Sequence, residues 1–233
     1  MIEAVLFDWG GTLSTFAEVD LADMWRLAAR HFDPAREEEI CGRLTEIEAE
    51  TFARTQTDQR SSTLRQILEL ASDDLALDVT EAVLEEAGTH YLDAWTPHIV
   101  HDPTAEKVLR ALRDRGLRTG LLSNTHWPRA FHEHFLDRDG LADLLDARLY
   151  TSELSHMKPH PSVFAAALTA VGVADATRAV FVGDRLHDDV FGAQSAGLRG
   201  VWIRNALVPE YEVEPDAIID ALSELVEVVD GWD

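Results

Sequence analysis

The chain has 233 residues and a formal net charge of -23, with 46% hydrophobic and 27% charged residues. This composition is typical of a soluble globular protein, and no apolar run approaches the roughly 20 residues of a membrane-spanning helix. The negative charge argues against unassisted binding to nucleic acid or anionic lipid, because both depend on cations that neutralise phosphate. Cys41 is the only cysteine, and the apolar run after Met1 is not preceded by the basic segment of a secretory signal. We therefore expect a cytoplasmic protein that binds neither nucleic acid nor membrane.

Four short, continuously apolar segments are predicted to be buried strands of a parallel sheet. Continuous apolar runs are expected where helices cover both faces of a sheet, whereas half-exposed strands alternate. The four segments are Ala4 to Phe7, Thr119 to Leu122, Val180 to Val182, and Val201 to Ile203.

Helices are predicted between the later strands from their capping residues and apolar periodicity. The alternation of strand and helix predicts a doubly wound α/β core. The three predicted helices run from Asp102-Pro103 to Gly116, from Pro161 to Gly172, and from just after Asp189 to near Gly197.

Residues 14–96 have helical periodicity and no convincing strand. Apolar residues recur there at the spacing of helices that bury one face. We predict a helical bundle of residues 14–96, inserted after the first strand into a core made of residues 1–13 and 97–233. The recurring residues are Leu21, Met24, Trp25 and Ala28; Ile40, Leu44 and Ile47; Leu64, Ile67 and Leu68; and Val83, Leu84, Ala87 and Tyr91.

Polar residues follow three of the predicted strands at the point where each ends. Because ligands of parallel sheets bind at the carboxyl ends of the strands, we expect these side chains to share one crevice. Each of them alone is typical of a turn, a helix cap or a solvated surface, but their combination predicts a catalytic site. The strand-end residues are Asp8, Ser123, Asn124 and Asp184, with Asp188 and Asp189 close behind, and one of the two lysines, Lys158, lies in a nearby loop.

These residue types suit the transfer of a phosphoryl group. The Asp8 carboxylate can attack phosphorus and divide a difficult hydrolysis into two steps. Carboxylates that lie close together need a hard divalent cation among them, so Asp8, Asp184 and Asp189 are candidate ligands of Mg2+. The phosphoryl oxygens need donors and positive charge, because negative charge develops on them in the transition state. The candidate donors are Ser123, Asn124, Lys158 and the backbone N–H groups at Gly10-Gly11.

The order of these motifs resembles that of the haloacid dehalogenase-like superfamily over nearly the whole chain. Its four motifs correspond to the segments at Asp8, at Ser123, at Lys158 and at Gly183-Asp184 with Asp189. The resemblance implies a Rossmann-like core, and the position of the helical insertion is similar to that in the subgroup with a small helical cap over the active site.

The resemblance also implies a role for each matching residue. Asp8 corresponds to the nucleophile and a metal ligand, and Asp184 and Asp189 to further ligands of magnesium. Ser123 and Lys158 correspond to the residues that bind the transferred group, and the carbonyl of Gly10 to another metal ligand. Asp188 stands where relatives often have Asn, which leaves open whether Asp188 or Asp189 faces the metal.

Gly10 departs from the pattern of the family's phosphatases, which usually carry a second Asp at this position. That Asp protonates the leaving group and later activates water, and such help is typically worth about 100 to 10,000-fold in rate. Gly10 has no side chain that can transfer a proton, although its carbonyl can still bind a metal.

Three explanations of Gly10 compete. Dehalogenases of the family lack this Asp, since a halide needs no proton, but they need no magnesium either. Phosphonate hydrolases of the family also lack it, but they use a cap lysine, and no lysine occurs between residues 1 and 106. The third is a phosphatase that acts slowly, acts on good leaving groups, or recruits another residue such as His126. His132 and His134 are predicted to diverge on a helix and to make a poor metal pair.

The sequence therefore favours a magnesium-dependent phosphatase of a small phosphorylated metabolite, with the cap selecting the substrate. A 2-haloacid dehalogenase that uses Asp8 is the first alternative. A catalytically impaired protein that binds a phosphorylated ligand is the second. The substrate and the oligomeric state are left open.

Overall fold

Six strands, all parallel, form the central sheet of the structure, a computed structural model that describes residues 1–232. The strands are β1 Ala4–Phe7, β2 Arg118–Ser123, β3 Ala147–Tyr150, β4 Ala179–Gly183, β5 Arg199–Ile203 and β6 Ala217–Ile219. Their order across the sheet is β3-β2-β1-β4-β5-β6, so the chain crosses from one half of the sheet to the other beside β1. The predicted α/β class with a parallel sheet is confirmed.

The two strands that the apolar pattern does not predict, β3 and β6, lie at the edges of the sheet. In β3 only Tyr150 is buried, and in β6 Ile218 is 44% exposed. Edge strands are short and partly solvated, so they lack the continuous apolar run that marks a central strand. The four predicted strands are present, most of them slightly longer than predicted.

Helices connect the strands and cover the sheet on both faces. They are α1 Leu21–Phe32, α2 Glu37–Ala53, α3 Leu64–Asp74, α4 Glu81–Trp95, α5 Ala105–Asp114, α6 Arg129–Arg138, α7 Pro161–Val171, α8 Gly192–Ser195 and α9 Leu225–Asp230. Within residues 1–232, none of them combines the length and the apolar character that crossing a membrane requires.

The side chains of β1 divide between two apolar cores, as expected for a strand buried on both faces. Val5 and Phe7 belong to a core that includes buried residues of α5, α6 and α9. Leu6 belongs to a second core with Phe164 of α7 and Phe181 of β4. The sheet is therefore doubly wound, and β1 lies at its centre.

The helical region inserted after β1 is confirmed, and α1 to α4 form a core of their own. Trp25 and Tyr91 stack at its centre with ring centroids 3.7 Å apart, and both are fully buried. The Asp20 carboxylate caps α1, and Thr63 with Gln66 forms a capping box at the start of α3. The predicted face of α4 is only partly correct, since Val83 and Leu84 are half-buried while Ala87 and Tyr91 are fully buried.

The predicted start of the helix after Asp189 is wrong. A π-helical turn, Leu186–Phe191, precedes α8 and already contains Asp188 and Asp189. Such wide turns are frequent at functional sites, and this one brings both carboxylates back to the end of β4.

Candidate active site

The centre of the sheet brings Asp8, Ser123 and Asp184 together at the carboxyl ends of three neighbouring strands. Phe7 pairs with Leu121 of β2 on one side and with Val182 of β4 on the other. Asp8 therefore leaves β1 between two strand ends, and its N–H donates to the Val182 carbonyl at 2.9 Å. This is the point of the sheet at which open α/β folds bind their ligands.

Lys158 joins two of the carboxylates. Its ammonium donates to Asp8 Oδ1 at 2.6 Å and to Asp189 Oδ1 at 2.7 Å. The lysine is 1% exposed and Asp189 is fully buried. Burial opposes the charged ammonium, but attraction to Asp189 and Asp8 outweighs it and raises the pKa of Lys158. The lysine is thus held as a cation inside the site.

Asp184 is the third buried carboxylate of the site. Its Oδ2 accepts a hydrogen bond from Asn205 Nδ2 at 2.8 Å, and the Trp202 indole donates to its backbone carbonyl at 2.9 Å. Its other carboxylate oxygen, Oδ1, is buried and has no hydrogen-bond partner among residues 1–232. A buried acceptor of this kind is costly unless a further ligand satisfies it.

Two glycines leave the space that these carboxylates occupy. A Cβ at Gly11 would lie 2.2 Å from Asp184 Oδ2, and the positive φ of 79° at Gly11 also disfavours a side chain. A Cβ at Gly183 would lie 2.2 Å from the Asp189 carboxyl carbon. Both glycines are therefore required by close approach to the site.

The three carboxylates fit a divalent cation. Oxygens of Asp8, Asp184 and Asp189 lie within 4.8 Å of one another. Burial and mutual repulsion raise the pKa values of Asp184 and Asp189. Because one lysine cannot balance three carboxylates and Asp184 Oδ1 lacks a hydrogen-bond partner within residues 1–232, the set suits Mg2+, which prefers oxygen ligands. The ion itself and the predicted contribution of the Gly10 carbonyl stay predictions.

The geometry separates the two neighbouring carboxylates of the π-helical turn. Asp189 belongs to the carboxylate group, and its Oδ2 accepts from the Arg185 N–H at 2.9 Å. Asp188 Oδ1 instead lies 2.9 Å from Nδ1 of His187. Asp189 is thus the better candidate for the metal ligand.

Asn124 holds the backbone of Lys158. Its amide donates to the Lys158 carbonyl at 2.9 Å, and its Oδ1 accepts from the Lys158 N–H at 2.8 Å. Asn124, predicted as a binder of substrate, therefore also fixes the loop that carries the lysine. Ser123 is 3% exposed and lines the same cavity as Asp8 and Lys158, which is where its predicted role requires it to be.

Gly10 also borders the cavity, but its surroundings are open. A Cβ built at Gly10 would meet nothing within 4 Å. The position therefore has room for a side chain, and its lack of one is not imposed by packing.

The sequence does not predict a hydrogen-bonded chain that begins next to Asp8. The Trp9 indole donates to Nε2 of His101 at 3.1 Å, and Nδ1 of His101 lies 2.6 Å from Asp139 Oδ2. These two contacts fix the ring of Trp9, which forms part of the cavity wall. The chain joins segments far apart in the sequence, so no local pattern marks it.

A second unpredicted network lies where the helical region meets the sheet. Buried Glu48 accepts hydrogen bonds from the Trp25 indole at 2.6 Å and from the Tyr91 hydroxyl at 2.8 Å. The Tyr91 hydroxyl in turn lies 2.9 Å from Nε2 of His126. The Trp127 indole also donates to the Tyr91 hydroxyl, at 3.3 Å. Burial raises the pKa of Glu48 and lowers that of His126 to about 3. His126 is thus a neutral, buried part of this network.

The predicted divergence of His132 and His134 is present. His132 is 1% exposed and stacks on Tyr150 with centroids 4.6 Å apart, whereas His134 is exposed.

These elements enclose a cavity of about 810 Å³ between the sheet and the helical region. Asp8, Ser123 and Lys158 lie on its sheet side, and Glu48, Phe52 and Trp95 line it from the helical region. The cavity is far larger than a phosphate group, so it can hold the body of a small-molecule substrate as well.

Comparisons with known proteins agree with this geometry. The family described as haloacid dehalogenase-like hydrolase matches residues 2–197. The glyceraldehyde 3-phosphate phosphatase of Pyrococcus furiosus is 33% identical over 132 residues, which are 55% of this chain and 54% of that protein. The phosphoserine phosphatase of Thermus thermophilus is 40% identical over 124 residues, 53% of this chain and 49% of that protein. The chain thus spans about half the length of these two relatives.

A solved structure matches over the full length. The crystal structure of a 2-haloacid dehalogenase from Pseudomonas syringae pv. Tomato DC3000 is 27% identical, has a TM-score of 0.75, and is covered over 100% of both chains.

Proposed function

Because this chain belongs to the haloacid dehalogenase-like hydrolases, we propose that it is a magnesium-dependent phosphatase of small phosphorylated metabolites. The observation that carries the proposal is the group of Asp8, Asp184 and Asp189 around the buried ammonium of Lys158. Relatives that are phosphatases support the same reading.

In the proposed reaction Asp8 is the nucleophile. One of its carboxylate oxygens attacks phosphorus, the ester bond breaks, and the phosphoryl group is transferred to Asp8. Water then releases phosphate and restores the carboxylate. Mg2+, held by Asp8, Asp184 and Asp189, would neutralise charge on the phosphoryl oxygens.

Lys158 and Ser123 hold the transferred group in this scheme. The ammonium of Lys158 is fixed by two carboxylates, so it needs no rearrangement to face the negative charge that develops in the transition state. Ser123 adds a hydroxyl donor from the end of β2. The backbone N–H of Gly11, in the turn after Asp8, would also donate to the transferred group. Trp9 and the helical region limit the access of water.

Dehalogenation of a 2-haloacid is the second candidate, because the full-length structural match is such an enzyme and Gly10 lacks a proton donor. The carboxylate group argues against it, since displacement of a halide by Asp8 needs no divalent cation. Phosphatase activity is therefore the first choice.

The remaining expectations are part of the same proposal. Residues 14–96 would act as a cap domain on a core of residues 1–13 and 97–233. The partner would be a small phosphorylated molecule, with neither nucleic acid nor membrane involved. A cytoplasmic location is supported by Cys41, which is a free and buried thiol.

The test measures release of 4-nitrophenol from 4-nitrophenyl phosphate with and without Mg2+, beside release of chloride from 2-chloropropionate. We expect phosphatase turnover that requires Mg2+ and falls about 1000-fold or more in Asp8→Asn, because the nucleophile is removed. Asp143→Asn makes the same chemical change at an exposed site and should keep full activity. Activity that survives Asp8→Asn would contradict the assignment, and chloride release without Mg2+ would favour the dehalogenase.

A further inference from the structure

The wall of the cavity above Asp8 is largely apolar and aromatic. Its residues come from the turn after β1, from the helical region and from the segment between β2 and α6. Among them are Trp9, Phe16, Val19, Phe52, Trp95 and Trp127. At about 810 Å³ the cavity can enclose a ring system attached to the phosphate, and contact with apolar walls favours a group with little polar surface.

The charged side chains that line the cavity disfavour a second anionic group on the substrate. The lining residues with a permanent positive charge are Lys158, already paired with two carboxylates, and the exposed Arg185. Against them stand four acidic residues besides the nucleophile. These are Glu18, Asp20, Glu48 and Asp188. A carboxylate or second phosphate on the leaving group would meet net repulsion there.

Gly10 restricts the leaving group independently of the cavity wall. Because this position carries no proton donor, the leaving oxygen departs as an anion. A phenol has a pKa of about 10, whereas water, a guide to simple alcohols, has one of about 15.7. Phenoxide is therefore a far better unassisted leaving group than an alkoxide.

The buried titratable groups on the helical side of the cavity do not replace the missing acid. Both carboxylate oxygens of Glu48 accept hydrogen bonds, from Trp25 and Tyr91. Nε2 of His126 lies within hydrogen-bond distance of Tyr91, and burial keeps the ring neutral. Glu48 and His126 are therefore held in their own network, which does not include Gly10.

On this basis we propose that the substrates are aryl phosphate monoesters, in which an uncharged phenol ring fills the apolar part of the cavity. The proposal rests on the proposed phosphatase function and names its substrate class.

The reaction balances without a side-chain acid. An oxygen of Asp8 bonds to phosphorus as the bond from phosphorus to the phenolic oxygen breaks, and phenoxide leaves with the electron pair. Phenoxide takes a proton from solvent. Water then bonds to phosphorus as the bond to Asp8 breaks, and the proton that water loses passes to solvent.

The first experiment measures kcat/KM for substituted phenyl phosphates, from 4-nitrophenyl to 4-methylphenyl, and for ethyl phosphate. We expect kcat/KM to fall at least about threefold for each unit by which the leaving-group pKa rises. In Gly10→Asp, kcat/KM should rise about 100-fold for phenyl phosphate and more for ethyl phosphate, so the dependence flattens. Gly10→Asn has the same size but transfers no proton, so it should keep the steep dependence. A flat dependence in the unmodified protein would overturn the proposal.

The second experiment tests the cavity with leaving groups of similar acidity. Relative to phenyl phosphate, KM should fall about tenfold for 2-naphthyl phosphate, because more apolar surface is buried, and rise for 4-carboxyphenyl phosphate. Ala17 lines the cavity, so Ala17→Trp should raise KM for the naphthyl ester more than for the phenyl ester, whereas Ala17→Ser should not. Equal KM values for the three esters would overturn the proposal.

The two proposals fail in different ways. If no phosphate ester is hydrolysed in a manner that depends on Asp8, the proposed function is wrong. Hydrolysis that depends on Asp8 and Mg2+ could be as fast on ethyl phosphate or 4-carboxyphenyl phosphate as on uncharged aryl esters. In that case the proposed function stands and the proposed substrate class is wrong.

Discussion

At the scale of single residues, the metal assignment depends on which carboxylates face one another. Asp184→Asn should greatly reduce the rise in melting temperature that Mg2+ causes, because a ligand that binds only the folded state stabilises it less when it binds more weakly. The measurement is thermal unfolding with and without Mg2+.

Asp188→Asn is the matched control for this prediction. Its carboxylate lies against His187 rather than in the group of three, so the variant should keep the stabilisation by Mg2+. If Asp188→Asn loses it and Asp184→Asn does not, the assignment of ligands is wrong.

Residues at the ends of central strands could be predicted, because an apolar run fixes where the strand stops and the parallel sheet brings the ends together. Asn205, which donates to Asp184, could not be predicted, because it lies beyond the end of β5 without a distinctive motif. The contacts of Trp9 with His101 and of Glu48 with Tyr91 also depend on tertiary packing, since each pair is far apart in the sequence.

At the scale of elements, Asn124 attaches the loop of Lys158 to the end of β2 by two hydrogen bonds. Asn124→Ala should lower kcat by about 10 to 100-fold, because a displacement of the ammonium by a fraction of an ångström weakens transition-state contacts. Stabilisation by Mg2+ should persist, since both of these hydrogen bonds go to the backbone of Lys158 and not to the three carboxylates.

Asn124→Asp separates positioning from a general loss of structure. Its carboxylate can still accept from the Lys158 N–H, but it repels the Lys158 carbonyl and the phosphoryl group, so kcat should fall at least as far as in Asn124→Ala. Steady-state kinetics with paired melting curves make the comparison. An unchanged kcat in both variants would remove the positioning role.

The elements also differ in how far sequence patterns reveal them. The central strands and the helices of the inserted region have one continuous or periodic buried face, so their pattern is strong. β3 and β6 are edge strands with partly exposed side chains, and the π-helical turn at Leu186 is set by the packing of Asp189 against Gly183. Neither feature has a local apolar signature.

At the scale of the whole molecule, two buried, neutral histidines line the cavity between the helical region and the sheet. His126 lies 2.9 Å from Tyr91 of α4, and His132 packs on Trp9 with ring centroids 4.5 Å apart. Burial lowers the pKa of both to about 3. The cavity is therefore lined by two imidazoles whose burial disfavours protonation.

The burial of these two histidines predicts that the folded protein is destabilised by acid. Both histidines take up protons below about pH 6.5 only when the chain unfolds. The stability they confer is thus complete above that pH and is lost as the pH falls toward about 3. Each histidine should lower the free energy of unfolding by about 2 kcal/mol between pH 7.5 and pH 5.

His132→Gln isolates one of these contributions. The neutral amide can keep a hydrogen bond to Thr125 but cannot titrate, so the variant should lose about 2 kcal/mol less than the native protein between pH 7.5 and pH 5. Any packing defect lowers the free energy of unfolding equally at both pH values, so it cancels in the difference. Glu48, whose pKa is raised by burial, titrates in both proteins and cancels as well. Urea unfolding at the two pH values measures the difference, and equal losses would show that His132 is not held neutral by the fold.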